Sequence, residues 1–91
     1  MQKEDTKEIL IKILDACKDK LPQERYNSTI ELVQVGEEGI ALENLCSNID
    51  DFEITLSQDS FDKIQYLAVK MGLHPDSWEF VTEWVTKTHK D

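Results

Sequence analysis

Apolar residues in this chain recur three and four positions apart in block after block, and nowhere do they alternate with period two for long enough to make a sheet. That spacing gathers them on single stripes of helices. Between Glu4 and Leu21 the stripe is Ile9, Leu10, Ile13, Leu14, Cys17 and Leu21, a first helix that Pro22 ends or interrupts. A shorter second helix is expected from Gln23 or from Ser28 to Val35, with Ile30, Leu32, Val33 and Val35 as its apolar residues. Gly36, able to adopt positive φ, stops it.

The third block runs from Glu37 to Phe52. It opens on two acids suited to a helix N-terminus and puts Ala41, Leu42, Leu45, Cys46, Ile49 and Phe52 on one arc. At about 100° per residue, Ile40, Glu43, Ser47, Asp50 and Asp51 fall on the opposite side. A short connection, residues 53–56, leads to Ser57, the expected N-cap of a fourth helix. Phe61, Ile64, Leu67, Ala68 and Met71 trace its buried side, Asp59, Lys63 and Tyr66 its outer side, and Gly72 its end. A last helix is expected from Pro75, burying Trp78, Val81, Trp84 and Val85 with Phe80 at the flank, and Lys87, His89 and Lys90 suit its negative end.

The pattern predicts an all-α protein: a compact bundle of four to five short helices in a single domain spanning residues 1–91. A chain of this length buries only about 60–65% of its unfolded surface and has no second core to divide off. With 40% hydrophobic and 32% charged residues, it has the balance of a globular protein and not of a disordered tail.

Charge is unevenly placed. Nineteen acids against ten bases give a net charge of −9. Residues 21–60 hold nine acids (Glu24, Glu31, Glu37, Glu38, Glu43, Asp50, Asp51, Glu53 and Asp59) against Arg25 alone, so this segment carries eight of the nine net charges. Such a field repels phosphate backbones and anionic lipid, which argues against direct nucleic-acid or membrane binding. From Glu37 to Glu53 the charge spreads over roughly 25 Å of helix, a footprint suited to a protein partner. It is either a solvated face kept for solubility or a surface that docks on a basic cleft. In the second case Ile40 and Tyr66 are the candidate apolar anchors, although either could instead pack beneath a neighbouring helix.

Other chemistries lack their residues. Cys17 and Cys46 are 29 positions apart without Cys-x-x-Cys spacing, and are expected as buried free thiols. The run Asn48-Ile49-Asp50-Asp51-Phe52-Glu53 has acids but no turning glycine for calcium, and His74 and His89 have no second His at metal spacing. No Gly-rich phosphate loop and no Gly-x-Ser-x-Gly elbow occurs, so an enzyme, a metal site and a cofactor are not expected. Asp59-Ser60-Phe61 and Asp76-Ser77-Trp78 imitate the modified serine of acyl carrier proteins, but the usual third residue is Leu and helix-start chemistry explains both. The acidic opening residues, with no long apolar run after them, do not read as a secretory signal, and nothing approaches the roughly 18 apolar residues of a membrane span, so a cytoplasmic location is expected.

The run Glu31-Leu32-Val33-Gln34-Val35-Gly36-Glu37-Glu38-Gly39-Ile40-Ala41-Leu42-Glu43-Asn44-Leu45-Cys46 resembles the MafI-type immunity proteins of bacterial polymorphic toxin and contact-dependent inhibition systems. The likeness continues through Asn48-Ile49-Asp50-Asp51-Phe52-Glu53-Ile54, Ser57, Met71-Gly72-Leu73 and Trp78-Glu79-Phe80, roughly two thirds of the chain, while the first 27 residues are not diagnostic. The resemblance implies a small cytoplasmic helical protein that binds the toxic C-terminal domain of a delivered toxin. Many such domains are nucleases, whose basic clefts a row of carboxylates can occupy in place of phosphates.

The expectation is therefore a non-enzymatic immunity protein that occludes a cognate toxin. Glu37, Glu43, Asp50 and Asp51 should face the basic groove, and Ile40 and Tyr66 should serve as anchors. The competing class is a helical adaptor that bridges host proteins without any toxin.

Overall fold

Helix starts and stops in this chain are set by a few residues, and a computed structural model that describes residues 5–86 shows how. The order is α1 (Thr6–Cys17), a 3-10 turn (Lys18–Lys20), α2 (Gln23–Gln34), α3 (Glu38–Asp51), α4 (Gln58–Lys70), and two further 3-10 segments, Pro75–Ser77 and Glu79–Trp84. The architecture is a small all-α bundle. Pro22 is the N-cap of α2, so the longer of the two expected spans is adopted. Ser57 caps α4 as expected, its Oγ accepting from the Ser60 N–H at 3.0 Å.

Three helices end in the same way. After α2 the N–H of Glu37 donates to the Leu32 carbonyl and that of Gly36 to Val33, with Gly36 at φ 86. After α4 the N–H of Leu73 donates to Ala68 and that of Gly72 to Val69, with Gly72 at φ 69. Both are Schellman motifs with glycine in the left-handed position. The end of α3 repeats the pair, Ile54 to Ile49 and Glu53 to Asp50, but with Glu53 in the left-handed position at φ 51.

The core lies where the four α-helices and the last 3-10 segment meet. Leu10, Ile13, Leu14, Leu42, Leu45, Ile49, Ile64, Leu67 and Val81 are completely or almost completely buried in it. The connection 53–56 is part of this core, because Ile54 and Leu56 turn inward. Cys17 and Cys46 are free and buried. α1 is tied to α2 by the Tyr26 hydroxyl, which donates to Asp15 at 2.8 Å, and to α4 by Lys70, which donates to Thr6 Oγ1 at 3.2 Å. The bond to Asp15 is the leading reason that the Tyr26 phenol is raised above its ordinary pKa, ahead of burial.

Three expectations need correction. The α-helix expected from Pro75 is two short 3-10 segments, broken at Trp78, whose φ of −145 is not helical. The β-branched and aromatic run Phe80-Val81-Thr82 with Trp84-Val85 favours extended backbone, and Val85 forms an isolated parallel bridge with Leu56. Helix 1 stops at Cys17, short of Leu21, which is buried beyond the 3-10 turn. Phe52, expected on the arc with Ala41 and Leu42, is 39% exposed, and Val35, an apolar residue of α2, is 68% exposed, because each is a C-cap where the chain leaves its helix. Lys87, His89 and Lys90 lie outside the described residues.

Candidate protein-binding face

α3 is held on two sides and open on a third. α2 packs along one flank and the last 3-10 segment along the other, while Ala41, Leu42, Leu45, Cys46 and Ile49 face the core. What remains outward is the stripe Ile40, Glu43, Ser47 and Asp51, at i, i+3, i+7 and i+11. With Arg25, Asn44 and Asn48 these four line a shallow depression of about 220 Å³. Ile40 is 52% exposed, so of its two expected placements it takes the outward one.

The flank towards α2 is polar. Thr29, completely buried, sets its hydroxyl 3.0 Å from the Arg25 carbonyl and 2.9 Å from Asn44 Oδ1, one proton serving two acceptors. Asn48 Nδ2 donates to the same Asn44 Oδ1 at 3.0 Å, and the Arg25 guanidinium donates to Asn48 Oδ1 at 3.1 Å. That guanidinium also lies over the Phe52 ring, 5.4 Å from its centroid, where the ring quadrupole attracts a cation. The sole base of residues 21–60 is thereby engaged inside the α2–α3 hairpin.

On the other flank the Trp84 indole N–H donates to Asp50 Oδ1 at 2.9 Å. Asp50 is exposed, but one of its oxygens is committed to the fold. Glu37 is the exposed N-cap of α3, next to the stripe in sequence but not lining the depression. Tyr66 is 53% exposed on α4, with the Lys70 ammonium 5.7 Å from its ring centroid, and it does not line the depression either. Of the six candidate residues the structure therefore brings Ile40, Glu43 and Asp51 together at one hollow.

Reading the sequence alone misses Arg25, Thr29, Asn44 and Asn48. Their signal is present as two polar i, i+4 pairs, Arg25–Thr29 on α2 and Asn44–Asn48 on α3, in stretches otherwise apolar on that side. On the inner side of α3 the Cys46 thiol is pushed up to about 12, mainly by burial and then by the charge of Glu43. At neutral pH it is a protonated thiol and no nucleophile.

Among the described residues no three His, Cys, Asp or Glu side chains form a group that could hold a metal ion, and no helix is long and apolar enough to cross a membrane. What the face offers is carboxylate charge beside exposed aliphatic surface. No family model matches the chain, and neither a curated protein nor a solved structure does.

Proposed function

We propose that this chain is a non-enzymatic, cytoplasmic immunity protein that neutralises the toxic domain of a bacterial polymorphic toxin, a nuclease, by laying the α3 stripe over its basic substrate cleft. The observation that carries the reading is the stripe itself: an exposed isoleucine in line with Glu43 and Asp51, on a hairpin whose only base is tied up by Asn48 and Phe52. The eight positions from Glu43 to Asp51 set the two carboxylates about 12 Å apart along the helix, so they meet separate positive groups of the cleft. Carboxylates speed encounter with a basic groove, and a desolvated aliphatic side chain slows departure. No cofactor enters this role.

Co-expression with the toxic domain encoded beside the gene tests it. The wild-type chain restores growth, and the folded Glu43→Lys/Asp51→Lys variant does not. Continued toxicity with the wild-type chain removes the immunity role in favour of an adaptor.

A further inference from the structure

The outer side of α2 carries an apolar feature that the α3 stripe leaves unused. Ser28, Glu31, Leu32 and Val35 stand at i, i+3, i+4 and i+7 and line an open hollow of about 440 Å³. Val35 is the more exposed, while Leu32 is half-buried against the core. Seven residues separate Leu32 from Arg25, about 20° on the helical wheel, and Arg25 lines the depression on α3. Leu32 and Arg25 therefore share one side of α2, so the two hollows adjoin along it.

Between them the two hollows are lined by three carboxylates, Glu31, Glu43 and Asp51, against the engaged Arg25. That charge rejects two occupants. Anionic lipid and nucleic acid are repelled, and a second copy docking by the same face would set carboxylates against carboxylates across a two-fold contact. An aliphatic hollow lined by Glu31, with Glu43 and Asp51 in the neighbouring depression, is complementary to an aliphatic side chain flanked by lysines or arginines. Leu32 and Val35, one turn apart, match the i, i+3 and i+4 spacing with which a helix presents such anchors.

We propose that this side of the α2–α3 hairpin is a docking groove for a basic amphipathic helix of the partner protein, its aliphatic anchor seated between Leu32 and Val35 and its basic residues over Glu31 and Glu43. The inference rests on the proposed function only for the sign of the partner's charge, and it extends the footprint from α3 onto α2.

The probe is a synthetic Leu/Lys peptide of about 18 residues, long enough to hold a helix, with leucines on one face. A peptide of the same composition, reordered to leave no apolar face, is the control. Added to the full isotopically labelled chain, the first peptide gives saturable amide shifts at Ser28, Glu31, Leu32, Val35 and Ile40, and the control does not. Glu31→Lys/Val35→Ser, at two exposed positions, weakens binding about tenfold or more with helicity unchanged, and Glu31→Gln alone weakens it in the same direction. The groove assignment is overturned by absence of saturable binding, by equal binding of the control, by shifts centred on Tyr66 and Val69 of α4, or by unchanged affinity of the variants. Growth rescue reports on neutralisation and the titration on the groove, so either can fail without the other.

Discussion

The indole N–H of Trp84 donates to Asp50 Oδ1 across 2.9 Å, joining the last 3-10 segment to the C-terminal turn of α3. The two tryptophans consequently stabilise the fold by different means. Trp78 is only 6% exposed and sits 6.3 Å from the Phe61 ring, so Trp78→Ala should cost about 3–5 kcal/mol through the cavity it leaves. Trp84 is half-buried, and Trp84→Phe keeps most of its apolar contact while removing one solvent-accessible bond, a loss of about 0.5–1 kcal/mol. Urea denaturation of both variants checks the order, and equal losses would dissolve the distinction.

Glu53 occupies the position that glycine fills after α2 and α4, at φ 51. An L-residue there carries about 1–2 kcal/mol of backbone strain, partly offset by the greater freedom glycine has when unfolded. Glu53→Gly should therefore stabilise the chain by about 0.5–1 kcal/mol. Gly36→Ala and Gly72→Ala should destabilise it by about 1 kcal/mol or more, although no atom lies within 4 Å of either added Cβ, because the conformation alone is at fault. Thermal midpoints of the three variants test this, and a Glu53→Gly protein that melts lower would refute the strain argument.

Much of this fold was legible in the sequence because stripe spacing and glycine placement are local properties. Ile9 through Cys17, Ala41 through Ile49 and Ile64 through Ala68 are buried where the period put them, and Gly36 and Gly72 end their helices. Where chain direction changes, the period loses its meaning: Val35 and Phe52 keep the helical phase but sit on caps, and the run after Pro75 is too β-branched and aromatic to sustain an α-helix. The candidate face divides likewise. Ile40, Glu43 and Asp51 share a helix and could be read as a set, whereas the ties of Arg25 to Asn48 and of Asp50 to Trp84 join elements whose packing no local spacing specifies.

The seam between α2 and α3 yields a coupling prediction. Asn44→Ala removes the acceptor shared by Thr29 and Asn48, leaving the buried Asn48 amide short of a partner, at about 2 kcal/mol. Thr29→Val removes the hydroxyl at nearly constant shape, at about 1 kcal/mol. Because the two residues share a bond, the double variant should lose less than the sum of the single losses, by about 0.5 kcal/mol or more. Strict additivity in denaturation experiments would mean that the shared bond contributes nothing.

Stability should fall on the alkaline side. Burial raises Cys17 and pushes Cys46 up to about 12, both from an ordinary value of 9.0, and the bond to Asp15 raises Tyr26 from 10.0. Each group holds its proton more tightly folded than unfolded. The stability they contribute is complete below their unfolded values and is lost as pH rises through the folded ones, so the window opens near 9 and closes for Cys46 at about 12. Urea midpoints should hold level to about pH 9 and drop from there to about pH 11. Cys46→Ala, less stable at pH 8, should show a shallower decline, and an unaltered slope would exclude the thiol as its source.

The proposed binding face is best tested at Glu43 and Asp51, leaving Asp50 intact because its carboxylate also secures Trp84. Lysine at both positions reverses the sign of the stripe while α3 keeps its inward contacts, so the far-ultraviolet circular dichroism should be that of the parent. Association with the proposed toxin partner should slow steeply at low ionic strength. The gap should narrow with added salt, as the screening length contracts from about 10 Å at 0.1 M to about 3 Å at 1 M. Ile40→Ser should do the reverse, leaving association close to the parent rate and hastening dissociation, because a half-exposed aliphatic side chain is desolvated only after the complex forms. Stopped-flow kinetics across a salt series separates the two effects. Parental association by the doubly reversed variant at every salt concentration would mean that the α3 stripe stays in solvent and that another side of the bundle makes the contact.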